Sequence, residues 1–248
     1  MERQLKLMNK DAPRVISSLG VTTALVCATT MLFTVYVPAT KGFFNMGETM
    51  VYLSAILFGP FIGAFAGGVG SMLADLFLGY YYYAPATLII KASEGFIVGL
   101  LYRYNLKLGR KGWKITTSLL GVLVGAILAF VGSNYYSGDI ELALGYTILT
   151  PHIPQIFWLA LSGVVTILII LAGLLMEPEV GWMVLSIMIG GLTMVLGYFL
   201  YQAYLIGPLF GIEAIAIAEV PINIGQMIIG LIISVPVARI IKRFFHIR

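Results

Sequence analysis

The sequence predicts an all-α protein, a polytopic bundle of transmembrane helices. Three observations predict it. Of 248 residues, 60% are apolar and 10% are charged, whereas a soluble domain carries about a quarter charged residues. The apolar residues fall in runs long enough to cross about 30 Å of hydrocarbon. The basic residues cluster at alternate ends of those runs, as topology signals do. No soluble fold of this size has interior room for so many Leu, Ile, Val, Phe and Ala side chains, so lipid must solvate much of the surface.

Candidate spans cover 14–37, 48–59, 61–79, 85–103, 115–133, 151–176, 181–206 and 213–241. They read as one integral membrane domain, residues 1–248. The first fifteen residues are too polar, and the following run too long, for a secretory signal. Span one carries Gly20, Ala24 and Ala28 at every fourth position, a flat ridge against which another helix can pack closely. The single cysteine, Cys27, lies in the same span, which excludes an internal disulfide and a cysteine-based metal site. Span two is short and must pack inside the bundle or tilt beside its neighbour. Gly59, Gly63 and Gly67 extend a second small-residue ridge into span three.

All but two of the 15 Lys and Arg residues fall in three groups. Arg3, Lys6, Lys10 and Arg14 precede span one. Arg103, Lys107, Arg110, Lys111 and Lys114 surround the loop after span four. Arg239, Lys242, Arg243 and Arg248 end the chain. With eight spans these groups share one side, which the positive-inside rule makes cytoplasmic, together with both termini. A re-entrant middle pair would leave six spans and the same parity. The net charge of +4 is thus a topology signal and not a nucleic-acid footprint.

The exceptions are Lys41, in the first outer loop, and Lys91, inside span four. Other polar residues gather in the outer halves of the spans. Asn45 and Glu48 open span two, and Asp75 ends span three. Glu94 follows Lys91 by one turn. Tyr198, Tyr201 and Gln202 approach the outer end of span seven, and Glu213, Glu219, Asn223 and Gln226 descend span eight. Ionisable groups within a membrane are costly and mark function by default. Structural roles compete with that reading. Lys91 and Glu94 make an i, i+3 pair, Asn223 with Gln226 serves equally as interhelical glue, and Asp75 reads first as a helix-end anchor. The run Tyr80 to Tyr83 fits an aromatic belt or rings that stack on a flat ligand.

No enzyme constellation is present. His152 and His246 are far apart, and no zinc-protease, nucleophile-elbow or P-loop pattern occurs. No cofactor or metal is expected. Energy for uphill transport must come from ATP hydrolysed on another subunit or from an ion gradient.

Several blocks resemble one family. They are KGFFNMGE (Lys41–Glu48), VYLSAILFGP (Val51–Pro60), GAFAGGVG (Gly63–Gly70), Ala74-Asp75-Leu76 and Gly79-Tyr80. APATLIIKASEG (Ala84–Gly95), Gly99–Leu101, and the ending AEVPIN (Ala218–Asn223) with Gln226, Gly230 and Pro236 continue the pattern. The chain resembles the substrate-binding S components of energy-coupling factor (ECF) transporters, most closely the riboflavin-type subgroup. The resemblance covers about 14–104 and 190–243. It implies a six-helix core, with 115–180 as an inserted helix pair.

The resemblance also implies a function: capture of a vitamin in the plasma membrane, with riboflavin the leading ligand. Partners would be a transmembrane coupling subunit and two cytoplasmic ATPases, and delivery would occur by toppling in the membrane. Gly20, Ala24 and Ala28 would dock the coupling subunit, and the segment from Pro38 to Asn45 would act as a gate. The expected ligand contacts are Asn45, Glu48, Lys91, Glu94, Tyr198, Gln202, Glu219 and Asn223. Lys91→Ala is expected to weaken binding without unfolding the protein. The alternative is a stand-alone ion-coupled transporter with Glu94 and Glu219 as proton carriers. An intramembrane enzyme or an inert scaffold fits less well, given the scarcity of His and Cys and the acids in the outer halves.

Overall fold

A computed structural model describes residues 2–38, 40–104, 109–140, 142–144, 147–175, 178–212 and 215–245. Helices dominate: α1 (Glu2–Leu32), α2 (Glu48–Phe58), α3 (Pro60–Leu78), α4 (Ala84–Tyr104), α5 (Arg110–Tyr135), α6 (Gln155–Leu175), α7 (Pro178–Tyr201), α8 (Gly207–Phe210) and α9 (Ala216–Phe245). Among the described residues, seven helical stretches are long and apolar enough to cross a membrane, while α2 is shorter. Of the eight expected spans, the second is therefore not a full crossing. The expected Glu213 lies outside the described residues.

The first span also ends earlier than its apolar run suggests, at Leu32 and not Val37. The β-branched and aromatic run Thr34–Val37 forms strand β1, which pairs antiparallel with β2 (Gly42–Asn45). Such residues fit a pleated surface at least as well as a helix.

This hairpin and α2 divide the depth of the membrane. Glu48, at the start of α2, meets Lys91, which lies about 10 Å along α4 from Ala84. At the other end of α2, the backbone at Gly59 lies against the Arg103 guanidinium. The helix thus occupies the half nearest the basic end, and the β1–β2 hairpin fills the other half. Non-helical backbone is tolerated at that depth only where protein surrounds it. Val37, Thr40, Phe43 and Asn45 are accordingly buried.

Gly59 lets the chain reverse from α2 into α3. Its φ is +92°, a value open to glycine at little cost, and Pro60 then starts α3 where a missing N–H does no harm. The α3–α4 crossing is closer still. A Cβ on Gly63 would sit 2.7 Å from Ala55 Cβ and 2.9 Å from the Gly95 carbonyl oxygen. The small-residue ridge of span three is therefore internal packing, as membrane helices use it.

The span-one ridge has a different fate. Gly20, Ala24 and Ala28 are exposed, and a Cβ on Gly20 would meet nothing within 4 Å. They border a shallow groove with Phe65 and Phe77 of α3.

Helices α5 and α6 pack chiefly against each other, and α5 leans on α9. The segment joining them supplies β3 (Gly138–Asp139), β4 (Leu142–Leu144), β5 (Thr147–Leu149) and β6 (His152–Ile153). Strand β4 pairs with β1 through Tyr36 and Ala143, giving a four-stranded sheet in the order β2-β1-β4-β5. Helix α7 ends in a π-turn, Gln202–Ile206, that continues into α8. Such turns alter the facing of the side chains that follow. Gln202 and Ile206 are buried there, whereas Ala203, Tyr204 and Leu205 are exposed.

Candidate functional site

Where the hairpin meets α3, α4, α7 and α9, polar side chains surround a cavity of about 30 Å³. Helix α4 contributes Lys91 and Thr87. Helix α3 contributes Asp75 and Ser71, α9 contributes Glu219, Asn223 and Gln226, and α7 contributes Tyr198. Gly42, Phe43 and Asn45 of β2, Thr30 of α1 and Tyr83 from the α3–α4 turn complete it.

The Lys91 ammonium is held by Glu48 on one side and by Glu94 at 3.1 Å on the other. Tyr52 donates to the second Glu94 oxygen at 2.9 Å. All four residues are nearly inaccessible. A charge at this depth is tolerable only when paired and hydrogen-bonded, and the triad meets that condition for Lys91 and Glu94. The expected i, i+3 pair is present, and Glu48 joins it from another helix. Lys91 also lies 5.8 Å from the centre of the Tyr198 ring, whose hydroxyl is 3.0 Å from Thr87 Oγ1.

A second network closes the other wall. Gln202 donates to Glu219 at 3.1 Å and to the Tyr83 hydroxyl. Tyr83 in turn donates to the Thr40 carbonyl at 2.9 Å. Burial holds the Tyr83 phenol well above its ordinary range, and the Glu219 carboxylate pushes it the same way, so it remains a donor. A third network ties the hairpin to α9. The Gln226 carbonyl oxygen accepts from the Asn45 side chain and, at 3.2 Å, from its backbone N–H. Gln226 donates to Asn223 at 2.8 Å.

Of the expected contacts, Asn45, Lys91, Tyr198, Glu219 and Asn223 line the cavity. Glu48 and Glu94 stand behind Lys91, and Gln202 stands behind Glu219 and Tyr83. Asp75, read first as a helix-end anchor, is buried on the cavity wall. Tyr83, from the tyrosine run read as a belt or as stacking rings, lines it too, and Thr30, Ser71 and Thr87 join it without having been singled out as contacts. Hydroxyl residues in apolar spans give little signal, because most of them bond back to their own helix, as Thr30 does to the Val26 carbonyl. Among the described residues, no group of three His, Cys, Asp or Glu side chains could hold a metal.

Four buried polar atoms in these networks have no hydrogen-bond partner: Glu48 Oε2, Asp75 Oδ2, Gln202 Oε1 and Asn223 Nδ2. Each such atom costs about 1–3 kcal/mol. Two of them, Asp75 Oδ2 and Asn223 Nδ2, belong to residues that line the cavity, an acceptor and a donor that suit a solute bringing polar groups of its own. The same region holds four carboxyl groups and one ammonium, an excess of acid that disfavours an anion.

Comparison with known proteins bears on what enters. The model of the ECF-type riboflavin transporter S component family matches residues 11–172. An uncharacterised protein from the gap 3′ region of Pyrococcus woesei is 45% identical over 107 residues, 43% of this chain and 67% of that one. A thiamine precursor transporter, HmpT, of Lactococcus lactis subsp. cremoris (strain MG1363) is 31% identical over 136 residues, covering 54% of this chain and 77% of its own. The family consists of transport subunits and not enzymes. With seven helices among the described residues long and apolar enough to cross a membrane, this multi-pass membrane protein belongs to the family of ECF-type riboflavin transporter S components.

Proposed function

We propose that the protein captures a vitamin-type heterocycle in the cavity between the hairpin, α4, α7 and α9. A shared coupling subunit with two ATPases would then draw the ligand inward. The observation that carries this reading is the polar, buried cavity with two unpartnered atoms on its wall, Asp75 Oδ2 and Asn223 Nδ2. Riboflavin is the first ligand to test, on the family's name. A thiamine precursor is the second, on the name of the Lactococcus relative. Both kinds of molecule offer N–H or O–H donors without net negative charge, which matches the acid-rich wall.

The cavity of about 30 Å³ has room for about two waters, far below the roughly 300 Å³ or more of ligand pockets. Entry therefore requires a wall of the cavity to move, and the β1–β2 hairpin, its non-helical part, would be the gate, over the segment from Pro38 to Asn45. The ends of α4 and α9 that carry Arg103 and Arg243 would face the cytoplasm of a plasma-membrane protein, along with both termini. The exposed ridge of Gly20, Ala24 and Ala28 would receive the coupling subunit. Helix α5 and most of α6 lie within the residues that the family's model matches, so that match does not set the pair expected at 115–180 apart from the core, although the two helices pack mainly on each other.

The test is to purify the protein in mild detergent, identify any retained compound by absorbance and mass spectrometry, and titrate the protein with riboflavin and with a hydroxymethyl-aminopyrimidine. A stoichiometric heterocycle, lost in Asp75→Asn and Glu219→Gln, is the expected result. An empty protein that binds neither compound would overturn the ligand assignment. Uptake that is independent of the coupling subunit but abolished by an uncoupler would overturn the mechanism.

A further inference from the structure

A second cavity, of about 380 Å³, opens between α6, α7 and α9. Its wall is apolar, formed by residues that include Leu168 and Ala172 of α6, Met188 of α7, and Ile228, Ile232 and Pro236 of α9. It shares no lining residue with the polar site. Leu168 and Ile232 are more than half exposed, so the groove is open along its side to the surrounding hydrocarbon.

Its position on α9 is informative. From Met227 to Pro236 the groove runs about 13.5 Å along the helix, close to the roughly 15 Å depth of one leaflet's hydrocarbon. The α9 face that forms it does not end at Pro236. At the i+3 and i+7 positions stand Arg239 and Arg243, both exposed, about 4.5 and 10 Å further toward the helix end. A helix face that is apolar for one leaflet and then doubly basic matches a molecule with a hydrocarbon chain and an anionic head.

The geometry points to a binding site for one anionic membrane lipid, with a chain in the α6–α7–α9 groove and its phosphate on Arg239 and Arg243. Two arginines at the headgroup level suit a phosphate through bidentate hydrogen bonds. The lipid would tie α6 to the core where protein packing leaves a gap.

The proposal is tested on the whole purified chain by native mass spectrometry, titrating with phosphatidylglycerol or phosphatidylcholine. One phosphatidylglycerol is expected to bind the wild type in preference to phosphatidylcholine. Neutralising both arginines (Arg239→Gln with Arg243→Gln) should weaken phosphatidylglycerol about thirtyfold, from about 1 kcal/mol for each basic residue near an anionic lipid surface, and leave phosphatidylcholine unchanged. Ala172→Phe, which fills the groove, should weaken both lipids. Equal binding of the two lipids by the wild type, or phosphatidylglycerol binding unaffected by the arginine changes, would overturn the assignment. A lipid-free dimer would assign the groove to a second copy instead. The arginines are exposed, so their test survives if the groove-filling variant does not fold. Riboflavin or pyrimidine titration of the same variants is a separate readout, which should stay at the wild-type value.

Discussion

Removing the Lys91 side chain should do more than weaken ligand binding. Lys91 is 4% exposed, Glu48 1% and Glu94 0%, and the ammonium bridges both carboxylates. Lys91→Ala leaves two buried acids close together with no cation between them, and one oxygen of Glu48 already lacks a partner. Breaking a buried ion pair from one side costs about 3–5 kcal/mol. The upper part of that range is expected here, because two carboxylates lose the same partner. The geometry thus revises the sequence-based expectation that Lys91→Ala would spare the fold.

The contrast variant is Lys91→Met with Glu48→Gln and Glu94→Gln. It removes every charge together and should recover most of the loss, since apolar or neutral replacements of buried charge networks are often neutral in stability. Equilibrium unfolding in detergent micelles, followed by circular dichroism, measures both. A Lys91→Ala variant as stable as wild type would refute the claim that the triad is a closed, desolvated network. So would a triple variant no more stable than the single one.

Three further outcomes follow from the packing. Gly95→Val should destabilise the protein by about 1–3 kcal/mol through overpacking, or prevent its accumulation, because the added atoms meet the α3 backbone at Gly63; expression level and detergent melting temperature report it. Tyr83→Phe removes the hydroxyl shared by Thr40 and Gln202 and should loosen the hairpin, raising the ligand dissociation rate several-fold in stopped-flow measurements while melting shifts by about 1 kcal/mol. Replacing Ala24 and Ala28 by Leu should abolish co-purification with the coupling subunit without changing ligand affinity, since both side chains are exposed and distant in sequence from every cavity residue but Thr30.

The apolar runs by themselves determined that the chain is a helical membrane bundle and roughly where each crossing lies. A span of twenty apolar residues has few other stable states in lipid, because its backbone must satisfy its own hydrogen bonds. The order of the polar residues also marked the neighbourhood of the site, since Lys91, Glu219 and Asn223 would be costly anywhere but in a shared interior. Tertiary structure alone decided the rest. The apolar run 14–37 does not reveal that Thr34–Val37 leaves the helix to pair with Gly42–Asn45 and with β4, because strand pairing depends on partners outside the run, one of them, β4, remote in sequence. Glu48 looks like a span-opening acid until α2 proves to be half a span, which places that acid beside Lys91. The two small-residue ridges are alike in sequence, yet one is buried against α2 and α4 and the other faces outward. Spacing along a helix defines a face, and only the packing of the bundle determines what that face meets.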